Sequence, residues 1–218
     1  MKIFLDTADP DEIRSAAEAN LIDGVTTNPS LLAKVATHRE PREILLEICD
    51  QVDGPVSAEV VAEDCEEMVE EGRRLSEIHP HIVVKVPLSQ DGLRACRTLR
   101  NNRIRVNVTL CFSAAQAVLA AKAGATYISP FIGRIDDAGH EGMDVLSEIR
   151  RVYDTYHYET EILAASLRHP KHVREAMLIG ADCATLPPDV LHKLMKHPLT
   201  DSGLRAFLDD WERAGRQL

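Results

Sequence analysis

Short β-branched runs recur along the whole chain, each followed by a longer stretch with helical spacing, and this alternation limits the fold more than any other feature. The runs lie near residues 2–6, 23–26, 55–60, 82–86, 104–109, 126–131, 161–166 and 182–185. Between them come patterns such as Cys65, Met68, Val69, Gly72 and Leu75, whose spacing by three and four residues sets one apolar stripe against a sheet. Eight strand-helix units predict a closed parallel barrel, the (β/α)8 or TIM barrel. Helix-start signals keep the same register. Asp9-Pro10 with Glu12 reads as an N-cap, a first-turn proline and a capping-box acid, and Asn28-Pro29 repeats the cap and proline after the second run. An open doubly wound sheet is the competing arrangement, but the chain has no Gly-x-Gly-x-x-Gly and no P-loop to mark its phosphate site.

A chain of 218 residues can bury one large core, and no Pro-, Gly- or Ser-rich linker divides it, so one domain over 1–218 is expected. From Leu199 onward, Leu204, Phe207, Leu208 and Trp211 recur at helical spacing and predict a final helix at about 200–214 with an apolar face. Either the chain's own barrel or a neighbouring subunit would cover that face. Five cysteines, odd in number and without a Cys-x-x-Cys pair, suit reduced core residues better than a disulfide framework. A net charge of −10 argues against general affinity for nucleic acid while leaving room for a local basic pocket. The first residues, Met1-Lys2-Ile3-Phe4-Leu5-Asp6, lack the apolar stretch of a signal peptide, and no segment approaches membrane-spanning length. The expected location is therefore the cytoplasm, with no membrane partner.

Lys85, in Ile82-Val83-Val84-Lys85-Val86-Pro87, is the one lysine of seven inside a continuous β-branched segment. An interior solvates ammonium poorly and favours neutral amine, which is a nucleophile able to form a Schiff base with a carbonyl. A lysine at a strand end can instead lay its stem on apolar surface and hold its head in water. The other strands favour the first reading. Side chains alternate between the faces of a strand, so Asp6 shares a face with Phe4, Thr26 with Asn28, Glu59 with Ser57, Lys85 with Val83, Asn107 with Thr109, Ser129 with Phe131 and Ser166 with Arg168. Each lies at the C-terminal end of its run, where barrel enzymes build their sites above apolar middle and bottom layers. The last run, Asp182-Cys183-Ala184-Thr185, adds nothing legible to the set.

Taken singly, Asn28 is accounted for as a helix cap, Ser166 as a strand end and Asp6 as a partner for a nearby amide. Their joint occurrence predicts a shared site. Asp6 and Glu59 beside one amine would supply general acid and base groups, or would neutralise it as an ion pair. Arg134 and Arg168 follow the sixth and seventh runs, where guanidinium forks and the start of a helix near Pro170 suit phosphate oxygens. The nine histidines form no metal set, and no metal is expected.

These residues resemble the transaldolase family, in its short bacterial and archaeal branch that also contains fructose-6-phosphate aldolases. The resemblance covers almost the whole chain and is carried by Phe4-Leu5-Asp6-Thr7, Gly24-Val25-Thr26-Thr27-Asn28-Pro29-Ser30, Val84-Lys85-Val86-Pro87, Asn107-Val108-Thr109, Ser129-Pro130-Phe131-Ile132-Gly133-Arg134 and Leu163-Ala164-Ala165-Ser166. It implies that Lys85 forms the Schiff base with a ketose phosphate and that Asp6 is the acid-base group at the hydroxyl beside the bond that breaks. Glu59 and Thr109 would hold the water that moves protons. Thr26, Asn28, Asn107 and Ser129 would hold sugar hydroxyls or neighbouring catalytic groups, with Phe131 also in the substrate site, while Arg134, Ser166 and Arg168 would bind phosphate. No cofactor is implied. The partners expected are sugar phosphates and further copies of the chain, in a pentamer or decamer joined through the C-terminal helix.

Two positions choose between the family's reactions. Transaldolases resemble this chain in having glutamate at 59 and phenylalanine at 131, whereas the aldolases place glutamine and tyrosine there. Phe131 has no hydroxyl to protonate and release a three-carbon enamine, so the expectation is transfer of dihydroxyacetone from sedoheptulose 7-phosphate to glyceraldehyde 3-phosphate. The alternatives are an aldolase that releases free dihydroxyacetone and a sugar-phosphate binding barrel without turnover; an intact Lys85, Asp6 and Glu59 count against the latter.

Overall fold

The structure, a computed structural model, describes residues 1–215. β1 (Lys2–Asp6) leads into α1 (Pro10–Glu18), and β2 (Gly24–Thr26) into a short α2 (Pro29–Val35) and then α3 (Pro41–Gln51). β3 (Val56–Glu59) precedes α4 (Cys65–Ser76), β4 (Ile82–Pro87) precedes α5 (Gln90–Asn101), and β5 (Val106–Cys111) precedes α6 (Ala114–Ala123). After β6 (Tyr127–Pro130) come a short α7 (Ile132–Asp137) and α8 (Gly142–Tyr156), and after β7 (Glu161–Ala164) comes α9 (Pro170–Ile179). β8 (Cys183–Leu186) is followed by α10 (Pro188–Met195) and α11 (Pro198–Arg213). Every strand pairs in parallel with its sequence neighbours and β8 closes on β1, so the sheet is the eight-stranded barrel that the alternation predicts.

Capping residues start α1 and α2 at the positions their chemistry dictates. Asp9 Oδ1 accepts from the Asp11 N–H at 2.9 Å and Asn28 Oδ1 from the Leu31 N–H at 3.0 Å, each with a proline in the first turn. Glu12 does not complete the expected capping box. It accepts from the Thr7 hydroxyl at 2.8 Å, while the Asp9 N–H donates to that same hydroxyl at 3.2 Å, so the turn after β1 is tied by Thr7.

The alternation of side chains divides the apolar residues in two. Leu5, Val25, Val56, Val84, Val86, Val108, Ile128, Ile162 and Leu186 point outward and join the helices in one large buried cluster. A separate cluster of Phe4, Val83, Tyr127, Leu163 and Cys183 fills the inside of the barrel. Phe4 and Tyr127 meet edge to face at 6.1 Å, a geometry suited to the positive edge and negative face of the rings. Gly24 makes room for them, since a Cβ there would come within 3.0 Å of the Phe4 ring. Above this plug the interior is not the apolar middle layer expected from the sequence. Thr26, Ser57, Lys85, Asn107, Ser129 and Thr185 are all buried there, and side-chain hydrogen bonds make that tolerable.

Three of the boundary differences from expectation affect the site. β5 runs two residues further, with a register irregularity between Val108 and Cys111 and Leu110 at φ 60°, a conformation rare for a bulky residue. β6 stops at Pro130, so Phe131 is the N-cap of α7. β7 stops at Ala164, and Ser166 adopts φ 58°, which breaks the strand alternation that placed Ser166 and Arg168 on one face. The C-terminal helix forms as expected, yet the barrel does not cover it: Leu199, Leu204, Phe207, Leu208 and Trp211 are 41–73% exposed. All five cysteines are free and buried, as their number and spacing suggested. Among the described residues no helix is long and apolar enough to cross a membrane.

Candidate active site

A cavity of about 120 Å³ opens among the C-terminal ends of the strands, lined by Asp6, Thr26, Asn28, Lys85, Ser129, Phe131, Arg134, Ala165, Ser166 and Thr185. Lys85 is 5% exposed. Its Nζ lies 3.0 Å from Glu59 Oε2 and donates to the Thr27 carbonyl at 3.3 Å. The pairing register sets Glu59 directly beside Lys85 on neighbouring strands, so this contact is a cross-strand pair fixed by the barrel itself. The two carboxylates of the sequence reading thus have different partners. Glu59 takes the amine, and Asp6 takes the Thr26 hydroxyl, which donates to its Oδ1 at 2.7 Å. Burial pushes the Asp6 carboxyl up, while the Thr26 hydrogen bond and the Lys85 charge act against that shift. A carboxyl so placed is suited to taking and returning a proton.

Beneath the amine, Asn107 Nδ2 donates to Ser57 Oγ at 3.2 Å and Asn107 Oδ1 accepts from Ser129 Oγ at 2.8 Å. Both ends of this fully buried amide are engaged, and Ser129 is held at the cavity wall. Asn28 works the other way: its Oδ1 is spent on capping α2, which leaves its Nδ2 donor for the cavity. Thr109, just before the irregular Leu110, has a buried hydroxyl with no partner among the described residues.

The side of the cavity that carries Arg134 is built by close backbone approach. The Ile132 and Gly133 N–H groups donate to the Ala165 and Ser166 carbonyls at 3.0 Å each, which clamps the loop after β7 onto α7. A Cβ at Gly133 would lie 2.4 Å from the Ser166 carbonyl oxygen, so glycine is what permits this approach. Arg134 and Ser166 thereby line one wall, with the Arg134 guanidinium 4.9 Å from the centre of the Phe131 ring. Phe131 meets Phe112 edge to face at 6.1 Å on another side. Arg168 lies outside that lining. Its two Nη groups grip the Asp137 carboxylate and hold that carboxyl below the usual range.

Glu59, Asn107, Thr109 and Arg168 do not line the cavity, although Glu59 meets Lys85 and Asn107 meets Ser129 at its wall. The sequence reading missed Ser57 as a support and Thr185 as a wall residue. Thr185 has the inward parity of Cys183 and ends its run, which is the same signal that marks the polar residues of the other strands. A larger cleft of about 770 Å³ opens outside the barrel beside Asp136, His140, Glu141 and Glu175. Its lysine, Lys171, is exposed and paired with Glu175. Convergent buried polar groups single out the barrel mouth, although its volume is smaller.

Residues 3–218 match the family model described as Transaldolase/Fructose-6-phosphate aldolase. The chain belongs to the transaldolase/fructose-6-phosphate aldolase family. It is similar over all of both chains to proteins named "Probable transaldolase" from Chelativorans sp. (strain BNC1), 59% identical, and Phenylobacterium zucineum (strain HLK1), 58% identical. Another protein of that name, from Caulobacter vibrioides (strain NA1000 / CB15N), is 56% identical over the same full length. A solved inosine 5' monophosphate dehydrogenase from Legionella pneumophila matches with a TM-score of 0.61 at 13% identity, covering 88% of this chain and 59% of that one. At that identity the likeness concerns the barrel alone. Membership of the transaldolase/fructose-6-phosphate aldolase family rests on the sequence match and agrees with the site, whose buried lysine, two carboxylates and arginine stand at the end of the barrel where such enzymes act.

Proposed function

We propose that the protein is a transaldolase that moves a dihydroxyacetone unit from sedoheptulose 7-phosphate to glyceraldehyde 3-phosphate, giving erythrose 4-phosphate and fructose 6-phosphate. The observation that carries this reading is the buried Lys85–Glu59 pair at the barrel mouth, facing a cavity that also holds Asp6. Glu59 receives the proton that Lys85 must lose before its amine attacks the donor carbonyl at C2. The carbinolamine loses its oxygen as water, to which Glu59 and the free hydroxyl of Thr109 are available, and a protonated imine remains. Asp6 then takes the proton of the C4 hydroxyl, the C3–C4 bond breaks, and its electrons enter the imine to leave an enamine on Lys85. The shortened aldose departs. The acceptor aldehyde is attacked by the enamine carbon, Asp6 returns the proton, and water hydrolyses the imine to free the new ketose and the lysine.

Phe131 supports transfer over simple release. Its ring stands at the cavity wall between Arg134 and Phe112 and offers no proton donor to the enamine. Thr26, Asn28, Asn107 and Ser129 bear on the sugar hydroxyls directly or through one another, and Arg134, Ser166 and Arg168 form the phosphate end. Copies of the chain join into a pentamer or decamer through the uncovered face of α11. A coupled assay with fructose 6-phosphate and erythrose 4-phosphate tests the reaction: glyceraldehyde 3-phosphate should form only when the acceptor is present. Equal formation without acceptor would make the protein an aldolase.

A further inference from the structure

We infer that Thr185 is a positioning residue that orients the Thr26 hydroxyl toward Asp6, so that three strands form one hydrogen-bonded line ending on the acid-base carboxylate. The inference rests on the transaldolase reading above. Thr185 Oγ1 and Thr26 Oγ1 are 2.6 Å apart, both buried, and Thr26 Oγ1 is 2.7 Å from Asp6 Oδ1. A hydroxyl has one proton. When Asp6 is ionised it can only accept, so the Thr26 proton goes to Asp6 and the contact with Thr185 must be filled by the Thr185 proton. The order Thr185 to Thr26 to Asp6 follows from that count alone.

Two effects should come from this order. Thr26 has three staggered hydroxyl orientations, and donation from Thr185 into its lone pair selects the one that serves Asp6. A hydroxyl that accepts a bond also becomes a better donor, so the bond to the carboxylate strengthens. Lys85 on β4 is the charged group that acts on Asp6 across the barrel, and Glu59 on β3 is occupied by that lysine. β8 contributes no charge to this side of the site; its contribution is the Thr185 hydroxyl. Without the hydroxyl, Asp6 would hold its proton to higher pH and serve less well as a base, while formation of the imine at Lys85, which does not use Asp6, would be untouched.

The test compares Thr185→Val, Thr185→Ala and Thr185→Ser in the full chain, with Thr26→Val and the double variant Thr26→Val/Thr185→Val. Loss of one hydrogen bond that strengthens another should lower kcat roughly three- to ten-fold. Expected for Thr185→Val and Thr185→Ala are this loss, little change in KM for fructose 6-phosphate, an acid limb of the rate profile moved to higher pH, and undiminished borohydride capture of donor on Lys85. Thr185→Ser, which keeps the hydroxyl, should restore the limb, and Thr185→Val should do no further harm in the Thr26→Val background. An unmoved limb in both hydroxyl-free variants, a serine variant as damaged as the alanine variant, or full additivity with Thr26→Val would overturn the positioning role. Failure of borohydride to capture donor on the unaltered protein is a separate result: it would overturn the transaldolase reading, and the role of Thr185 with it.

Discussion

Arg134→Ala should separate the phosphate end of the site from its catalytic end. Arg134 lines the cavity, and its guanidinium is held over the Phe131 ring at 4.9 Å. A charge-assisted hydrogen bond contributes about 1.5–3 kcal/mol, and the side chain is exposed in the free protein, so the lower part of that range applies and KM for fructose 6-phosphate should rise roughly ten-fold. Phe131→Leu removes the cation–π contact, about 0.5–1 kcal/mol at an exposed position, together with the edge-to-face contact to Phe112, and should raise KM about two- to five-fold through the same arginine. Arg168→Ala should have a smaller effect than Arg134→Ala, because Arg168 is already engaged by Asp137 and stands outside the cavity lining. Initial rates with fructose 6-phosphate and with an unphosphorylated dihydroxyacetone donor, each with erythrose 4-phosphate as acceptor, provide the comparison. Equal damage to both donors would refute the reasoning, since an arginine that only held structure would not distinguish them.

Phe131→Tyr should shift the protein toward release, because a hydroxyl at the cavity wall can protonate the enamine; a positioned acid contributes about 10²–10⁴-fold, and the gain is read as dihydroxyacetone-dependent formation of fructose 6-phosphate from glyceraldehyde 3-phosphate. A folded variant with no gain would remove position 131 as the switch. Lys85→Ala should keep the far-ultraviolet circular dichroism spectrum and lose transfer, and chelators should leave the unaltered protein fully active because the imine is the electron sink. Loss of activity in EDTA with recovery on adding a divalent ion would contradict that.

The barrel was legible because a parallel strand covered on both faces reads as a continuous β-branched run, and eight such runs separated by amphipathic stretches leave few arrangements. Parity then brought Asp6, Thr26, Lys85 and Ser129 to one cavity with no knowledge of the fold beyond alternation. It failed where the backbone leaves the strand. Ser166 at φ 58° turns the chain, and Arg168 points to Asp137 instead of sharing its face. A left-handed serine has no signature in the sequence, since its conformation comes from the carbonyls that Ile132 and Gly133 hold in place. The partners of each polar group were illegible for a related reason: which carboxylate meets Lys85 depends on strand register, and only the paired barrel sets Glu59 beside it. The inner plug of Phe4, Val83, Tyr127, Leu163 and Cys183 could not be told from outward core residues by composition, because both sets are apolar.

Borohydride reduction in the presence of fructose 6-phosphate, followed by peptide mapping, tests the central claim most directly. Reduction fixes a carbon-nitrogen bond that noncovalently bound sugar lacks. The account predicts a single donor-derived adduct on Lys85, absent without sugar and absent in Lys85→Ala. An adduct on another lysine, or none while transfer activity is intact, would contradict it.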